Sequence, residues 1–341
     1  MPSRDLTRLT KASTKWAAKA LAPGDNQAVA RTRSSLTLLA VGGVLTVAAI
    51  TGVAGARSSE TQLVAKIEVG GRGACSVAFT EGAAWVSVYN TNEVVRVDPA
   101  TNAVVARVPV RGGPCGIVSA EGAVWVENFN GASVQRIDPA TNRVVAGVGV
   151  GTRPYDVAYG HGSIWVSNAG TRTVSRVDPR RNRLIKTIRT PGITPGGLAI
   201  TANAVWVGSG SGTRIARIDP RRNRVVARVR TGRAPAWLGA TETSVWVSNQ
   251  LDNTVSRVDA RTNRVLATIP VGIGPVDSGV VAGDVWVPHL NNNNVMRIDP
   301  TTNTVVETID VGGGPYVVPD HANELWVGSF RGSDVWRFVV R

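Results

Sequence analysis

The dipeptide Trp-Val recurs at a nearly constant interval through most of this 341-residue chain. Successive tryptophans of the series lie 40, 40, 41, 40, 40 and 40 residues apart. The seven positions are Trp85, Trp125, Trp165, Trp206, Trp246, Trp286 and Trp326. A period of about 40 residues made of short strands is typical of the blades of a β-propeller, so this interval limits the fold more than any other feature.

One repeat, residues 150–190, shows the pattern of four strands separated by turn residues. Its predicted strands are PYDVAYG (154–160), SIWVSN (163–168), VSRVD (174–178) and RLIKTIRT (183–190). Seven such units, with no helical pattern after residue 57, predict an all-β, seven-bladed propeller over residues 57–341. One Trp at a fixed strand position in every unit predicts that these rings pack between neighbouring blades.

The two ends of the repeat array each hold part of a blade. The last unit ends after its third strand, in LWVGSFRGSDVWRFVVR, whereas residues 62–70 (QLVAKIEVG) read as a fourth strand with no unit before them. We therefore expect the strand at 62–70 to pair with the C-terminal blade and close the ring. Closure of this kind removes exposed sheet edges.

Three segments carry a resemblance to a known family: WVSN at 165–168, RVDPATN at 96–102 and VGTRPYDV at 150–157. In these segments the chain resembles the YVTN-type β-propeller repeat family and, more loosely, NHL and streptogramin (virginiamycin B) lyase propellers. The resemblance covers residues 62–341 and implies the propeller fold. Because one fold serves many functions, it does not by itself imply an activity.

Similarity to the streptogramin lyases would imply a His after the loop Pro in two successive blades and a Glu three residues after the Trp. No His follows a loop Pro here, and Glu127 stands two residues after Trp125. Elimination needs a positioned base and an oriented partner. We therefore expect no catalytic residues at these positions and keep a lyase or hydrolase as the alternative function, with Asp156 and Asp277 as its acids.

The N-terminal part differs from the repeats in composition. Residues 1–34 are polar and basic, and they precede a hydrophobic segment at 35–56 that has no charged residue. Its length suits a membrane-spanning helix, and the positive flank predicts a cytoplasmic N-terminus with the propeller outside. Ala54-Gly55-Ala56 also fits a signal cleavage site after Ala56, so the segment is either a membrane anchor or a secretory signal.

Loop positions at one end of the predicted channel vary between blades, whereas the turns at the other end are constant. Variable loops on a constant scaffold are where binding residues usually lie. The predicted channel-mouth residues are Tyr155, Asp156, Asn168, Trp237, Asn249, Asp277, His289 and Tyr316. We expect an extracytoplasmic scaffold that binds a small molecule, a glycan or a protein there; a solvated polar rim is the alternative. No cofactor is expected, and the His and Cys spacings are unlike those of a zinc site.

The chain has two cysteines, Cys75 and Cys115, which are 40 residues apart and so occupy the same position in adjacent blades. Inner strands of neighbouring blades converge at the channel, and an extracytoplasmic compartment is oxidising. We predict a disulfide, which requires Cα atoms within about 7 Å. The alternative is two free thiols in the channel wall.

Basic residues outnumber acidic ones, 38 to 24, which gives a net charge of +14. Six arginines come from the same turn of two successive units: Arg180, Arg181, Arg183, Arg221, Arg222 and Arg224. We expect one basic patch on the face opposite the channel mouth, where anionic lipid or wall polymer would bind; ordinary solvated turns are the alternative. No aromatic residues alternate with these arginines, so no nucleic-acid binding is expected. A monomer is expected.

Overall fold

The computed structural model describes residues 61–319 and 323–341. All of them belong to one compact unit, Ser59–Arg341. The predicted basic tail (1–34) and hydrophobic segment (35–56) lie outside the described residues. Within the described part, no helix has the length and hydrophobicity needed to cross a membrane.

Twenty-seven strands make up the described structure. The first nine are β1 (Thr61–Glu68), β2 (Ala74–Thr80), β3 (Ala83–Val88), β4 (Glu93–Asp98), β5 (Ala103–Pro109), β6 (Pro114–Ala120), β7 (Ala123–Asn128), β8 (Ser133–Asp138) and β9 (Arg143–Gly149). The next nine are β10 (Pro154–Gly160), β11 (Ser163–Asn168), β12 (Thr173–Asp178), β13 (Arg183–Arg189), β14 (Pro195–Thr201), β15 (Ala204–Ser209), β16 (Arg214–Asp219), β17 (Arg224–Arg230) and β18 (Pro235–Ala240). The last nine are β19 (Ser244–Asn249), β20 (Thr254–Asp259), β21 (Val265–Pro270), β22 (Gly279–Val281), β23 (Asp284–His289), β24 (Asn294–Asp299), β25 (Thr304–Asp310), β26 (Glu324–Gly328) and β27 (Asp334–Val340).

These strands form seven antiparallel sheets, and the prediction of an all-β, seven-bladed propeller is confirmed. Blades 1 to 6 are the four-stranded sheets β2–β5, β6–β9, β10–β13, β14–β17, β18–β21 and β22–β25. In blade 7 the order is β1-β27-β26, so the N-terminal strand is the outermost one. It pairs with β27 from Thr61 opposite Val340 to Glu68 opposite Asp334. On the inner side of this sheet, Pro315 forms a single bridge with Ser329.

The seven repeated Trp side chains are fully buried, which confirms that they pack rather than bind. Trp85 of blade 1 lies in a cluster with Ile117 and Val124 of blade 2, and Trp326 of blade 7 lies with Val77 of blade 1. Each hydrophobic core therefore sits between one blade and the next. Burial of large aromatic side chains is a main source of stability in such a core.

The segment RxDPxTN and its variants form the turn between the third and fourth strands of blades 1 to 6. Its Asn is in the left-handed region, with φ between 50° and 61° at Asn102, Asn142, Asn182, Asn223, Asn263 and Asn303. The Asp side chain accepts backbone N–H groups within the turn, as Asp98 Oδ1 does from Ala100 at 2.9 Å. These residue types are the ones that such turns favour.

The Arg that opens the segment serves the neighbouring blade instead of its own turn. In four blades the Nη1 of this Arg reaches the Asp-Pro turn of the next blade. There it donates to the side chain of the turn's Asn and to the carbonyl oxygen of the turn's Pro. The Asn Oδ1 distances are 3.1 Å for Arg96–Asn142, 2.9 Å for Arg176–Asn223, 2.9 Å for Arg257–Asn303 and 2.8 Å for Arg337–Asn102. Each of these guanidinium groups also lies over the buried Trp of its own blade, 5.0–5.3 Å from the ring centroid.

Candidate functional site

Six aromatic rings form a closed circuit at the end of the channel where the inner strands begin. Ring centroids are 5.1 Å apart for Tyr155–Trp237 and for Trp237–Tyr316, and 4.8 Å apart for Tyr316–Phe330. Tyr89 completes the circuit, 6.0 Å from Phe330 and 6.5 Å from Phe129, which is itself 6.4 Å from Tyr155. Contacts of this length are favourable beyond the burial of the rings. We call these six side chains the aromatic circuit.

The circuit combines two kinds of loop. Tyr155, Trp237 and Tyr316, all predicted from the sequence, lie at or next to the start of an inner-strand segment. Tyr89, Phe129 and Phe330 were not predicted. They stand four residues after the repeated Trp, in the loops that follow β3, β7 and β26. The signal for them is present in the sequence, because this position is aromatic in blades 1, 2 and 7.

The inner strands enclose a cavity of about 540 Å³ along the channel. Its lining next to the aromatic circuit includes Tyr155, Asp156, Trp237 and Asp277, and its lining at the opposite end includes Phe79, Tyr159, Ala240 and Pro319. Two predicted aromatic residues and both predicted acids therefore line one space, and Tyr316 contacts it only through Trp237. A concave space of this size, lined by aromatic side chains and a few convergent polar groups, is typical of a small-molecule site.

Asp156 and Asp277 share a structural task in the cavity wall. Asp156 Oδ2 accepts the backbone N–H of Leu198 in the next blade at 2.7 Å, and its Oδ1 accepts that of Val157 at 2.8 Å. Asp277 Oδ2 accepts the N–H of Val318 in the next blade at 2.8 Å. Inner strands of neighbouring blades do not pair with each other, so these carboxyl groups satisfy N–H groups that a sheet ladder leaves unpaired.

Burial changes the protonation of the acidic groups. Desolvation raises the pKa of Asp156 to about 7, and the two backbone N–H donors oppose it only in part. Burial also raises the pKa of the Glu127 carboxyl well above its usual range. Near neutral pH the cavity wall therefore carries less negative charge than its carboxyl count suggests, because desolvation disfavours the ionised form.

Glu127 is fully buried behind the inner strand of its own blade. Its Oε1 accepts the N–H of Gly116 at 2.9 Å, whereas its Oε2 has no hydrogen-bond partner among the described residues. The equivalent residues of blades 1 and 5, Ser87 and Ser248, donate to the backbone carbonyls of Cys115 and Asp277 in the next blade. Glu127 thus occupies a position that supports the inner strands in other blades, but its side chain is larger than the serine found there and can be ionised.

Two tyrosines of the circuit are coupled through their hydroxyl groups. A hydrogen bond between the Tyr155 and Tyr316 side chains accompanies the contacts of both rings with Trp237, one tilted and one edge-to-face. Desolvation raises the pKa of Tyr155 to about 12, and that of Tyr316 is raised for the same main reason. Both phenols therefore stay protonated at neutral pH and are available as neutral hydrogen-bonding groups.

The structure places Asn168, Asn249 and His289 away from the cavity. All three are fully buried and bond within their own blade. Asn249 Oδ1 accepts the N–H of Gly232 at 2.9 Å, and His289 Nε2 accepts that of Gly272 at 3.0 Å. Asn249 and His289 therefore tie down the loop before the inner strand, whereas Asn168 Nδ2 donates to the hydroxyl of Thr173 in β12 at 3.2 Å. We do not retain these three residues as ligand contacts.

Cys75 and Cys115 form a disulfide between the inner strands of blades 1 and 2, with Cα atoms 5.1 Å apart. This separation lies within the range that disulfide geometry allows. Cys115 also lines the cavity. The bond therefore fixes two adjacent blades at the wall of the candidate site.

The six predicted arginines are all exposed. Arg180 pairs with Glu121 of the neighbouring blade at 2.9 Å, and Arg181 and Arg222 pair with the Asp of their own turns. These turns are at the end of the propeller opposite the aromatic circuit. Among the described residues, no cluster of three or more His, Cys, Asp or Glu side chains is arranged to hold a metal ion.

The fold and this cavity define the class: a seven-bladed β-propeller with an aromatic circuit at one end of its channel. Solved structures share the architecture. Virginiamycin B lyase from Staphylococcus aureus matches with a TM-score of 0.72 and 14% identity over 83% of this chain and 100% of that chain. A streptogramin B lyase matches with a TM-score of 0.69 and 13% identity over 83% of this chain and 97% of that chain.

A WD40 β-propeller domain matches with a TM-score of 0.71 and 11% identity over 82% of this chain and 97% of that chain. At these identities the likeness shows the fold alone. No protein-family model and no curated protein matches the sequence. The resemblance to YVTN-type repeats therefore stays a prediction.

Proposed function

We propose that this protein is an extracytoplasmic ligand-binding propeller whose site is the central cavity next to the aromatic circuit. One observation carries the proposal: Tyr155 and Trp237 of the circuit face the same cavity as the carboxyl groups of Asp156 and Asp277. A solvated rim does not explain contacting rings beside carboxyl groups that accept N–H groups of the neighbouring blade. A concave surface that combines aromatic side chains with a few convergent polar groups is the usual form of a binding site.

The chemistry of the wall favours a sugar unit or a similar polyol as the ligand. The carboxyl oxygens of Asp156 and Asp277 are acceptors, and the Tyr155 hydroxyl is both donor and acceptor. The hydroxyl groups of a sugar complement these groups, while the apolar face of its ring packs on an aromatic side chain. The raised pKa of Asp156 reduces the negative charge of the wall and so disfavours a purely cationic ligand.

We place ligand access at the end of the cavity that lies away from the aromatic circuit. Trp237 has only 4% of its surface exposed and contacts a ring on either side. Phe79 and Tyr159 at the other end are partly exposed, and the Tyr159 hydroxyl donates to the surface residue Glu121 at 2.7 Å. In this arrangement the circuit is the floor of the site, not its mouth.

The extracytoplasmic location is supported by the disulfide of Cys75 and Cys115, because such bonds persist in oxidising compartments. The sequence of residues 35–56 supports it as well. Cleavage after Ala56 would give a secreted protein, and retention of the segment would give a membrane-anchored one with the basic tail in the cytoplasm.

Isothermal titration of the full chain in neutral detergent, against a panel of mono- and oligosaccharides, tests the proposal. We expect at least one glycan to bind, and Trp237→Ala to weaken its affinity about tenfold or more, because the floor of the site loses the ring that joins Tyr155 and Tyr316. Trp336→Ala is the matched control, because Trp336 stacks on Phe338 and Lys66 and does not line the cavity. Absence of glycan binding, or equal losses in the two variants, overturns the proposal.

A lyase is the second candidate, favoured by the fold likeness to two lyases of streptogramin-type compounds. Against it, the described lining of the cavity contains no His, and Asp156 and Asp277 already serve as acceptors between blades. Incubation of the protein with a streptogramin B compound, followed by mass spectrometry, decides: ring opening that is lost in Asp277→Asn would support the lyase.

A further inference from the structure

The net positive charge of the propeller is concentrated in two adjacent blades. Residues 154–231, which contain blades 3 and 4, hold 14 Lys and Arg but only 3 Asp and no Glu. The rest of the propeller domain, residues 61–153 and 232–341, has 16 Lys and Arg and 18 Asp and Glu. If the excess of Arg were only a general property of the composition, we would expect these residues in all seven blades. The propeller therefore has one strongly basic region, which is made by blades 3 and 4.

Most of these cations are exposed and unpaired. The exposed ones are Arg172, Arg180, Arg181, Arg183, Lys186, Arg189, Arg214, Arg221, Arg222, Arg224, Arg228 and Arg230. Only Arg180, Arg181 and Arg222 among them form ion pairs with described residues. We call this set the basic sector. It includes the turns before β13 and β17, these two strands, and Arg172 and Arg214 beside the starts of β12 and β16, so it extends beyond the six arginines predicted from the sequence.

Equivalent positions in other blades show that the propeller does not need these charges. The last residue of the outermost strand is Arg189 and Arg230 in blades 3 and 4, but Gly149 in blade 2 and Pro270 in blade 5. The turn residues at Arg221 and Arg224 correspond to Thr301 and Thr304 in blade 6. Since neutral residues fit the same fold, the charge of the basic sector is a property of the surface and not of the blade.

The arrangement of the cations suits an extended anion. Along β17, Arg224, Arg228 and Arg230 are all exposed, and alternate residues of a strand are about 7 Å apart on one face. Lys186 and Arg189 continue the positive surface on β13 of the neighbouring blade. Lone ions would need a pocket, whereas a row of exposed guanidinium groups complements a chain of regularly repeated negative charges.

The surroundings of the basic sector narrow the class of polymer. No aromatic side chain lies on β13 or β17, so the bases of a single-stranded nucleic acid would find no stacking surface there. Within the ring, two blades separate the sector from blade 7 on either side.

We propose that the basic sector binds a linear anionic polymer of phosphorylated polyol or sugar units. The interaction is electrostatic and depends on several charges at once. Affinity then falls steeply with salt, because each phosphate that is neutralised releases counterions. This surface is separate from the central cavity, so the proposal stands or fails independently of glycan binding there.

Two matched triple variants test the proposal. Arg183→Thr, Arg221→Thr and Arg224→Thr remove three charges from the sector and install the residue that blade 6 carries at these positions. Arg143→Thr, Arg261→Thr and Arg264→Thr make the same changes at the equivalent positions of blades 2 and 5. The probe is a synthetic poly(glycerol phosphate) chain, titrated against the full-length protein in neutral detergent at several salt concentrations.

We expect the sector variant to bind about tenfold more weakly at low salt, and its slope of log affinity against log salt to fall by about 2. The control variant should stay within about twofold of the unmodified protein, and monomeric glycerol phosphate at equal phosphate concentration should not compete. Equal losses in both variants, full competition by the monomer, or no binding at low salt would overturn the proposal. Loss of binding to anionic vesicles in the sector variant alone would also overturn it, since the partner would then be lipid.

Discussion

Arg337, in the last strand of the chain, donates from Nη1 to the side-chain Oδ1 of Asn102 at 2.8 Å, in the turn of the first blade. The same nitrogen donates to the carbonyl of Pro99, and the guanidinium group also pairs with Glu324 and lies over Trp326. Blade 7 keeps this Arg although it lacks the Asp-Pro turn, because the Arg serves the turn of the next blade. The bond joins residues 235 positions apart and links the two ends of the ring.

Removing this link should weaken the ring as a whole. Arg337→Ala leaves the polar groups of the blade 1 turn and of Glu324 without their partner, and we expect a loss of about 2–3 kcal/mol in the free energy of unfolding. A double-mutant cycle with Asn102→Ala, measured by chemical denaturation, should give a coupling energy of about 1–2 kcal/mol.

Arg136 provides the control for this cycle. It occupies the same position in blade 2, but its Nε and the Oδ1 of Asn182 in the next turn have no hydrogen-bond partner among the described residues. The Arg136→Ala and Asn182→Ala pair should therefore show little coupling. If the two cycles gave the same coupling energy, the inter-blade bond would not be the cause of the effect.

The disulfide between Cys75 and Cys115 should stabilise the propeller by restricting its unfolded chain. It joins residues 40 positions apart, and a loop of that length corresponds to about 4 kcal/mol in the chain-entropy model. The double change to Ala should lower the melting temperature under non-reducing conditions and abolish the effect of added reductant. Mass spectrometry without reduction checks the bond, and a free-thiol count of two in the native protein would refute it.

The periodic part of the molecule was predictable, since a spacing of 40 residues places equivalent positions in equivalent surroundings. The Trp series is buried between blades, and the two cysteines meet, because adjacent units repeat the same backbone path. The partner of Arg337 was not predictable from the turn motif alone. The motif looks local, yet its Arg acts on the turn of the following blade, which only the closed ring brings near.

The aromatic circuit was predictable only in part. Tyr155, Trp237 and Tyr316 follow from the loop pattern, but Tyr89 and Phe330 meet across the junction between the first and last blades, 241 positions apart. Such a contact depends on side-chain packing and not on the repeat. Asn249 and His289 were predicted to line the channel mouth, but their side chains bond to loops of their own blades for a similar reason. A side chain at the end of the second strand can point to the channel or to the loop before the inner strand. In Asn249 and His289, hydrogen bonds from this loop fix the side chain towards the loop.

His289 should make the protein sensitive to acid. Burial lowers its pKa to about 4, so the folded protein keeps a neutral imidazole while the unfolded chain takes up a proton below about pH 6.5. Stability contributed by this group is present above pH 6.5 and is lost as the pH falls towards 4, by up to about 1.4 kcal/mol per pH unit.

His289→Asn isolates this effect, because Asn occupies the equivalent position in blades 2, 3 and 5 and Asn249 accepts the corresponding loop N–H. The difference in unfolding free energy between the variant and the unmodified protein should shift in favour of the variant as the pH falls from 6.5 to 4.5. A difference that stays constant over this range would show that the imidazole does not titrate on unfolding.

Asp156 should act with the opposite sign. Its pKa is raised to about 7 by burial, so the folded state holds a proton that the unfolded chain releases near pH 4. The stability contributed by the protonated form is present below about pH 4 and is lost as the pH rises through 7, again by at most about 1.4 kcal/mol per pH unit. Asp156→Asn keeps an acceptor for Leu198 but cannot ionise, so its unfolding free energy should rise relative to the unmodified protein between pH 5 and 7. Parallel curves would mean that Asp156 is already ionised in the folded state, and the argument against a cationic ligand would then be lost.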